Sequence, residues 1–153
     1  MKKNFKYILC CLILIVSYIP FSINAQTPQS RSKSTIVADV LAQLPADNQK
    51  QYNQLMTDLV STGEEGLLNL IGKFNPPGNK SNETIDYSIS AWTNFVANDN
   101  AKRSVAANAY EKALGQSYDN EIKATIIRQL EKIGGDDNVD VLSTLLKDER
   151  LIG

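Results

Sequence analysis

The sequence has no histidine, and its only two cysteines, Cys10 and Cys11, are adjacent near the N-terminus. Both cysteines lie in a segment that has the features of a removable export signal. The remaining chain therefore has neither thiol nor imidazole groups. This absence excludes cysteine nucleophiles, Ser-His-Asp triads, zinc held by histidine or thiolate, and disulfide cross-links. Catalysis by carboxylates and metal binding through oxygen ligands remain open.

Residues 1–25 have the three parts of a secretory signal peptide. Three lysines give a positive start, an apolar run follows from 7 to 19, and Ala25 is a small residue at the expected cleavage site. The run has 13 residues, whereas a membrane-spanning helix needs about 20. We therefore predict cleavage after Ala25 on a bacterial export route and a periplasmic or secreted mature protein. An uncleaved membrane anchor is the alternative.

Positive charge is scarce in the predicted mature chain. Removing Lys2, Lys3 and Lys6 from 16 basic and 17 acidic residues leaves 13 basic and 17 acidic ones, a net charge of −4. Such a chain has no excess of cationic groups to follow phosphates or an anionic membrane surface. We therefore expect no nucleic-acid partner and no membrane binding after signal cleavage.

Beyond a polar leader at residues 26–33, apolar residues recur at helical spacing. Intervals of three and four residues predict one apolar stripe on each of seven helices, and no stretch shows the sustained alternation that is typical of strands. The predicted helices cover residues 34–44, 47–60, 64–74, 82–96, 100–115, 119–133 and 138–147. We therefore predict an all-α domain at residues 34–153.

Short oxygen-bearing side chains predict where several of these helices begin. Ser34 is the predicted cap of the first helix, Asp47 of the second, and Ser81 or Asn82 of the fourth, because such side chains accept hydrogen bonds from the free N–H groups of a first turn. Before the fourth helix, residues 75–80 combine two prolines with a glycine. We interpret this stretch as a loop between helix pairs rather than a domain boundary, since apolar helices flank it closely.

Pairs of helices repeat along the chain. A gapless shift of 74 residues places Met56 on Leu130 and Leu67 on Val141, and another helix pair lies between the two aligned stretches. The shift therefore spans two units of about 37 residues, each a helix, a tight turn and a second helix. Three such pairs in succession predict a stacked α-solenoid, in which each pair buries its apolar face against its neighbours. A compact helical bundle is the alternative.

Residues 126–148 resemble a HEAT-type repeat. A first helix ends in leucine, isoleucine and glycine, an acidic turn follows, and a second helix carries valine and paired leucines before a lysine–aspartate exit. The matching residues are Leu130, Ile133, Gly134, Asp136, Asp137, Val141, Leu142, Leu145, Leu146, Lys147 and Asp148. The resemblance implies an armadillo-like, right-handed α–α superhelix of about three helical hairpins. It also implies binding of other macromolecules, usually without catalysis.

We therefore expect an exported, non-catalytic helical-repeat module that binds or scaffolds a protein partner and needs no cofactor. The last predicted helix has five apolar residues among the eight from Val139 to Leu146, although a terminal repeat should present a polar outer face. This contrast predicts a longer solenoid, or self-association or partner contact through the C-terminal repeat. The alternatives are a non-catalytic N-terminal part of a larger exported enzyme, for instance one acting on carbohydrate, and a small enzyme using carboxylates alone.

Two acidic groups have both a chemical and a structural interpretation. Glu64 and Glu65 are adjacent, and adjacent helical side chains diverge by about 100°, so we interpret them as first-turn acids rather than an acid–base pair. Asp136-x-Asn138-x-Asp140 imitates the start of a calcium loop but lacks its glycine and its final glutamate. A helix-capping turn is the preferred interpretation. We predict no catalytic, cofactor-binding or metal-binding residue.

Two further sets of residues bear on binding. Trp92, Phe95 and Tyr110 have helical spacing, and we predict that they belong to the core rather than to a ligand platform. In a solenoid the second helix of each pair usually lines the concave surface. In the middle pair this surface would comprise Lys102, Arg103, Asn108, Glu111 and Lys112. An ordinary solvated helix face explains these residues equally well, so the binding residues stay unassigned.

Overall fold

The computed structural model describes residues 31–76, 78, 81–145 and 147 of the chain. The predicted signal peptide, residues 1–25, lies outside this part of the chain, as does the predicted leader up to Ser30. None of the described helices is both long enough and apolar enough to cross a membrane.

The described residues form seven α-helices and contain no strand. The helices are α1 (Lys33–Leu41), α2 (Gln49–Ser61), α3 (Gly63–Ile71), α4 (Glu83–Val96), α5 (Asn100–Leu114), α6 (Asn120–Ile133) and α7 (Val139–Leu145). One turn of 3₁₀ helix, Asp136–Asn138, precedes α7. The all-α prediction is therefore confirmed, and the helix bounds differ from the predicted ones by at most three residues.

Two of the predicted capping residues are wrong. Ser32, not Ser34, caps α1, since its Oγ accepts a hydrogen bond of 3.1 Å from the backbone N–H three residues later. Asn48, not Asp47, caps α2, and its Oδ1 accepts the corresponding bond at 3.0 Å. A capping residue occupies the last position before the helix. Because α1 begins at Lys33, Ser34 already lies inside the first turn, and Asp47 lies one residue too early for α2.

Two asparagines close the proline-containing loop between α3 and α4. The Asn75 N–H donates to Asn82 Oδ1 at 2.9 Å, and Asn82 Nδ2 donates to the Asn75 carbonyl at 3.1 Å. Asn82 precedes α4 but makes no side-chain bond to that helix. Instead, Ser81 Oγ accepts a bond of 3.2 Å from the Glu83 N–H. Since α3 and α4 contact each other directly, the loop joins neighbouring helices.

The first six helices pack in two rows. In one row α1 contacts α3 and α3 contacts α5, and in the other α2 contacts α4 and α4 contacts α6. Each helix of one row also contacts the helix that follows it in the chain, so the rows pack face to face. A short superhelix and a compact helical bundle both have neighbours of this kind.

The core lies between the two rows, and each of α1 to α6 contributes to it. Its largest fully buried side chains are Val37, Met56, Leu59, Leu67, Leu70, Ile71, Ile89, Trp92, Val96, Tyr110, Ile126 and Leu130. Phe95 is half-buried and packs against this cluster. The prediction that Trp92, Phe95 and Tyr110 belong to the core is therefore confirmed.

A buried hydrogen bond joins α4 and α5 inside this core. The hydroxyls of Thr93 and Tyr110 lie 2.7 Å apart, and Thr93 Oγ1 also donates to the carbonyl of Ile89 at 3.0 Å. Both side chains are fully buried, where a polar group without a partner would be costly. Burial raises the pKa of the Tyr110 phenol far above its ordinary value of 10.0, and the hydrogen bond with Thr93 offsets only part of that rise.

We expect Tyr110 to make the protein less stable in alkali. Because its pKa is raised in the folded state, the unfolded state releases the phenolic proton first. This stability contribution is complete below about pH 10 and is lost at about 1.4 kcal/mol per pH unit above it, up to the folded-state pKa. Urea unfolding at about pH 9 to 11 measures how steeply the free energy of unfolding falls with pH. Tyr110→Phe should make this fall less steep by about 1.4 kcal/mol per pH unit above pH 10. Tyr87→Phe, at a 43% exposed position, is the control. A Tyr110→Phe variant with the wild-type slope would contradict this assignment.

Two apolar positions are more exposed than the sequence predicts. Val105, predicted on the buried side of α5, is 40% exposed, and Val139 on α7 is 56% exposed. Among the described helices, α7 makes its main contacts with the 3₁₀ turn that precedes it, which explains why it buries little surface. The other predicted apolar residues of α7 are half-buried, namely Val141, Leu142 and Leu145. Leu146 lies outside the described residues.

Candidate protein-binding surface

Ion pairs join the helices of the row formed by α1, α3 and α5. Lys33 Nζ lies 2.8 Å from Glu65 Oε2, and Lys112 Nζ lies 2.6 Å from Glu64 Oε1. The two adjacent glutamates of α3 therefore point to different neighbours, one to α1 and the other to α5. Both lie in the first turn of α3, as predicted. This arrangement makes them links between helices rather than one paired reaction centre.

The predicted concave surface on α5 divides into residues bonded within the chain and residues lining a cleft. Lys112 pairs with α3, and Glu111 Oε2 accepts a hydrogen bond of 3.1 Å from Asn138 Nδ2. Lys102 Nζ lies 2.8 Å from Asp99 Oδ2 at the start of the same helix. Each of these three residues of the predicted set therefore has a partner within the chain.

The other two predicted residues, Arg103 and Asn108, lie in an open polar cleft. The cleft has a volume of about 450 Å³ and separates α5 from the turn between α6 and α7. Its lining residues are Arg103, Ser104, Ala107, Asn108, Ile133, Gly135, Asp136 and Asn138. A guanidinium, a carboxylate and amides in one cleft can recognise the backbone and charged side chains of a polypeptide.

Asn138 shapes one wall of this cleft. It is 4% exposed, and its Oδ1 accepts a bond of 3.1 Å from the Gly135 N–H while its Nδ2 donates to Glu111. The calcium-loop interpretation needs the oxygen of Asn138 as a ligand, but this oxygen already holds the turn in place. The geometry therefore supports the structural interpretation of Asp136-x-Asn138-x-Asp140. No cluster of three or more metal-ligating side chains occurs among the described residues.

A second polar groove, which sequence reasoning missed, lies between α4 and α6. It has a volume of about 620 Å³ and is lined by Asp86, Ser90, Glu121, Thr125, Arg128, Gln129, Glu131 and Lys132. A signal was present in the sequence, since Glu121, Thr125, Arg128 and Lys132 recur at helical spacing beside the apolar stripe of α6. A solvated helix face gives the same pattern, so the groove could be recognised only once α4 was placed beside α6.

Charges of both signs and a buried amide characterise the α4–α6 groove. Burial has the largest effect on the pKa of Asp86 and raises it. The positive charge of Arg128 lowers this pKa, and the negative charge of Glu121 raises it. Gln129 is 4% exposed and lies at hydrogen-bond distance from Ser90 at 3.4 Å and from Lys132 at 3.5 Å. Bonds of this length are weak. The groove therefore has polar groups on its wall that can bind a polar segment.

Comparisons with known proteins leave the family open. The chain matches no protein-family model, and no curated protein or solved structure is significantly similar to it. The resemblance to HEAT repeats therefore depends on the residues of segment 126–148 and on the pairing of helices. What the structure itself shows is an all-α fold with seven helices in the described part of the chain.

Proposed function

We propose that this chain is an exported, non-catalytic helical-repeat module of the HEAT type that binds another protein. The observation that carries the proposal is the packing of α1, α3, α5 and of α2, α4, α6 in two rows, in which each helix contacts the one two places along. Stacked helix pairs in repeat proteins pack in this way. A rigid stack offers a large preformed surface and loses little entropy on binding.

The binding surface in this proposal is the exposed side of α5 around the cleft that contains Arg103 and Asn108. Internal bonds fix the neighbouring Glu111 and Lys112, so the surface is preorganised. Arg103 and Asp136 supply opposite charges at the cleft, and the amide of Asn108 can bond to a partner backbone. Contact with a second copy of the chain through the incompletely buried α7 is a further candidate, because Val139 is 56% exposed.

Site-specific photo-crosslinking tests the binding proposal. A photo-reactive amino acid replaces Asn108 on α5 or, as the matched control, Thr57, an exposed residue of α2 in the other row. We expect Asn108 to give a discrete adduct in cells that export the full chain, and Thr57 to give none. An adduct with the mass of two chains assigns the surface to self-association. Equal or absent labelling at both positions would contradict a binding surface on α5.

Export and lack of catalysis are tested separately. If residues 1–25 are a signal peptide, the protein recovered outside the bacterial cytoplasm begins at Gln26, which N-terminal sequencing measures. A chain that keeps Met1 and stays with the cells contradicts cleavage.

Turnover of any member of a panel of glycosides and esters by the purified protein would contradict the non-catalytic proposal and favour an enzyme that uses carboxylates.

A further inference from the structure

An apolar pocket lies at the corner where α2 passes into α3, facing the start of α5. Its volume is about 180 Å³, and its lining residues are Val60, Gly63, Trp92, Ala101, Lys102 and Val105. The indole of Trp92 is 1% exposed, so it forms part of the floor, while the 40% exposed Val105 lies at the side. Lys102 is the one charged residue among those that line the pocket.

Gly63, the first residue of α3, lines the pocket at the junction between α2 and α3. Gly63 has a φ of +64°, a left-handed conformation that favours glycine over residues with a side chain. A Cβ built on Gly63 would meet nothing within 4 Å, so the space beside this residue is open.

The rim of the pocket has a cation that can accept a new partner. The Lys102 side chain is 55% exposed, and its 2.8 Å ion pair is with Asp99, whose side chain is also exposed. Exposed ion pairs between near neighbours on a helix are weak. A carboxylate brought to the rim by a bound molecule can therefore share or replace Asp99 as the partner of Lys102.

We propose that this pocket binds one phenylalanine- or leucine-sized side chain of the protein partner, and that a carboxylate beside this side chain pairs with Lys102. The size fits, since an apolar cavity of about 150 Å³ holds a benzene molecule. A few side chains in well-packed, desolvated pockets commonly supply most of the binding energy of an interface, and aromatic side chains are frequent among them. The inference rests on the proposed function, because it names the chemistry of the partner segment that meets the helical module.

NMR titration of the isotope-labelled full chain with short peptides tests the proposal. The probe is acetyl-Gly-Phe-Asp-Gly-amide, and the comparison peptides replace its aspartate by asparagine or its phenylalanine by alanine. We expect the probe to shift the resonances of Trp92, Ala101 and Val105 saturably. The asparagine peptide should bind about two- to fivefold more weakly, since an exposed ion pair is lost, and the alanine peptide should not bind.

Two substitutions link the binding to the pocket. Ala101→Leu adds a side chain to an exposed position at the pocket and should abolish the shifts, whereas Ala38→Leu, at an exposed position on α1, should leave them unchanged. Lys102→Gln should remove the preference for the aspartate peptide while the phenylalanine still binds. Retention of the helical circular dichroism by each variant keeps the comparison valid.

Three results would overturn the inference: no saturable shift, equal binding by the Ala101→Leu variant, or no preference for aspartate in the wild type. These results are independent of crosslinking at Asn108. If the crosslink forms but the peptides do not bind, the module binds a partner without using this pocket. If the peptides bind but no crosslink forms, the α5 cleft is wrong as the partner surface, and the pocket remains a site for an acidic, apolar-anchored peptide.

Discussion

Replacing Gly66 by alanine should lower the free energy of unfolding by at least about 3 kcal/mol, at the upper end of overpacking effects. A Cβ built on Gly66 would overlap both Cβ and Oγ1 of Thr62. Gly66 is itself buried in the second turn of α3. Since the overlap involves the Cβ of Thr62, a change of side-chain rotamer cannot relieve it, and the backbone at the start of α3 must move.

Thr62 cannot easily give way. It is the single residue between α2 and α3, it is 2% exposed, and its Oγ1 donates to the Leu59 carbonyl at 2.5 Å. Moving it would disturb the end of α2 and the contact between the two helices. Position 66 therefore requires glycine for a steric reason. Helix propensity does not predict this requirement, because glycine in a helix interior is normally unfavourable by about 1 kcal/mol relative to alanine.

Alanine substitutions at two other glycines, Gly63 and Gly135, distinguish the effect of steric overlap from that of backbone strain. Gly63→Ala meets no atom within 4 Å but must adopt a φ of +64°, which costs about 1–2 kcal/mol. Gly135→Ala meets nothing and has extended backbone, so we expect an effect within about 1 kcal/mol, in the stabilising direction. Urea unfolding, followed by the fluorescence of Trp92, the single tryptophan, measures all three variants.

A rescue experiment identifies the overlapping atoms. Thr62→Gly should recover part of the loss in the Gly66→Ala background, because it removes both overlapping atoms of residue 62, whereas Thr62→Ala should recover less, because it removes Oγ1 but keeps Cβ. The rescue is incomplete, since both substitutions also remove the hydrogen bond to the Leu59 carbonyl. If Gly66→Ala and Gly135→Ala had the same effect on unfolding, the packing at the α2–α3 junction would not be as described.

The helices could be predicted from the sequence because their signals are local. Apolar residues recur at three- and four-residue spacing within each helix, and residues such as Pro45, Gly63 and Gly134 lie near the breaks between them. The capping residues of α1 and α2 were misplaced because Ser32 and Ser34, like Asp47 and Asn48, are equally able to cap. Only the position of the first helical turn decides between such neighbours.

The surface features could not be predicted because they depend on contacts between distant parts of the chain. Glu64 and its partner Lys112 are 48 residues apart in the sequence, and Gln129 and Ser90 are 39 apart. A sequence pattern can place Glu64 on one face of α3, but it does not say which helix lies opposite. For the same reason Val105 was predicted to be buried: its place in the stripe of α5 is visible in the sequence, whereas the pocket that it lines is not.

The fold also makes a prediction about α5, which has buried residues along most of its length. It contacts α3, α4 and α6, so it is enclosed on several sides, and its buried positions include Ala106, Ala109 and Ala113, each 0% exposed. Small side chains allow neighbouring backbones to approach closely. This enclosure explains why α5 lacks the single narrow stripe of large apolar residues that a helix with one buried face would have.

Ala109→Leu should therefore lower the free energy of unfolding by about 2–3 kcal/mol, because the larger side chain forces neighbouring helices apart in a packed core. Ala38→Leu adds the same atoms at an exposed position on α1 and should change stability by no more than about 0.5 kcal/mol. Both are measured by urea unfolding of the purified chain. Equal unfolding midpoints for Ala109→Leu and Ala38→Leu would mean that the face of α5 that carries Ala109 is not packed against its neighbours as described. A selective loss at Ala109 would instead show that this face of α5 is tightly packed, in agreement with a binding surface on its outer side.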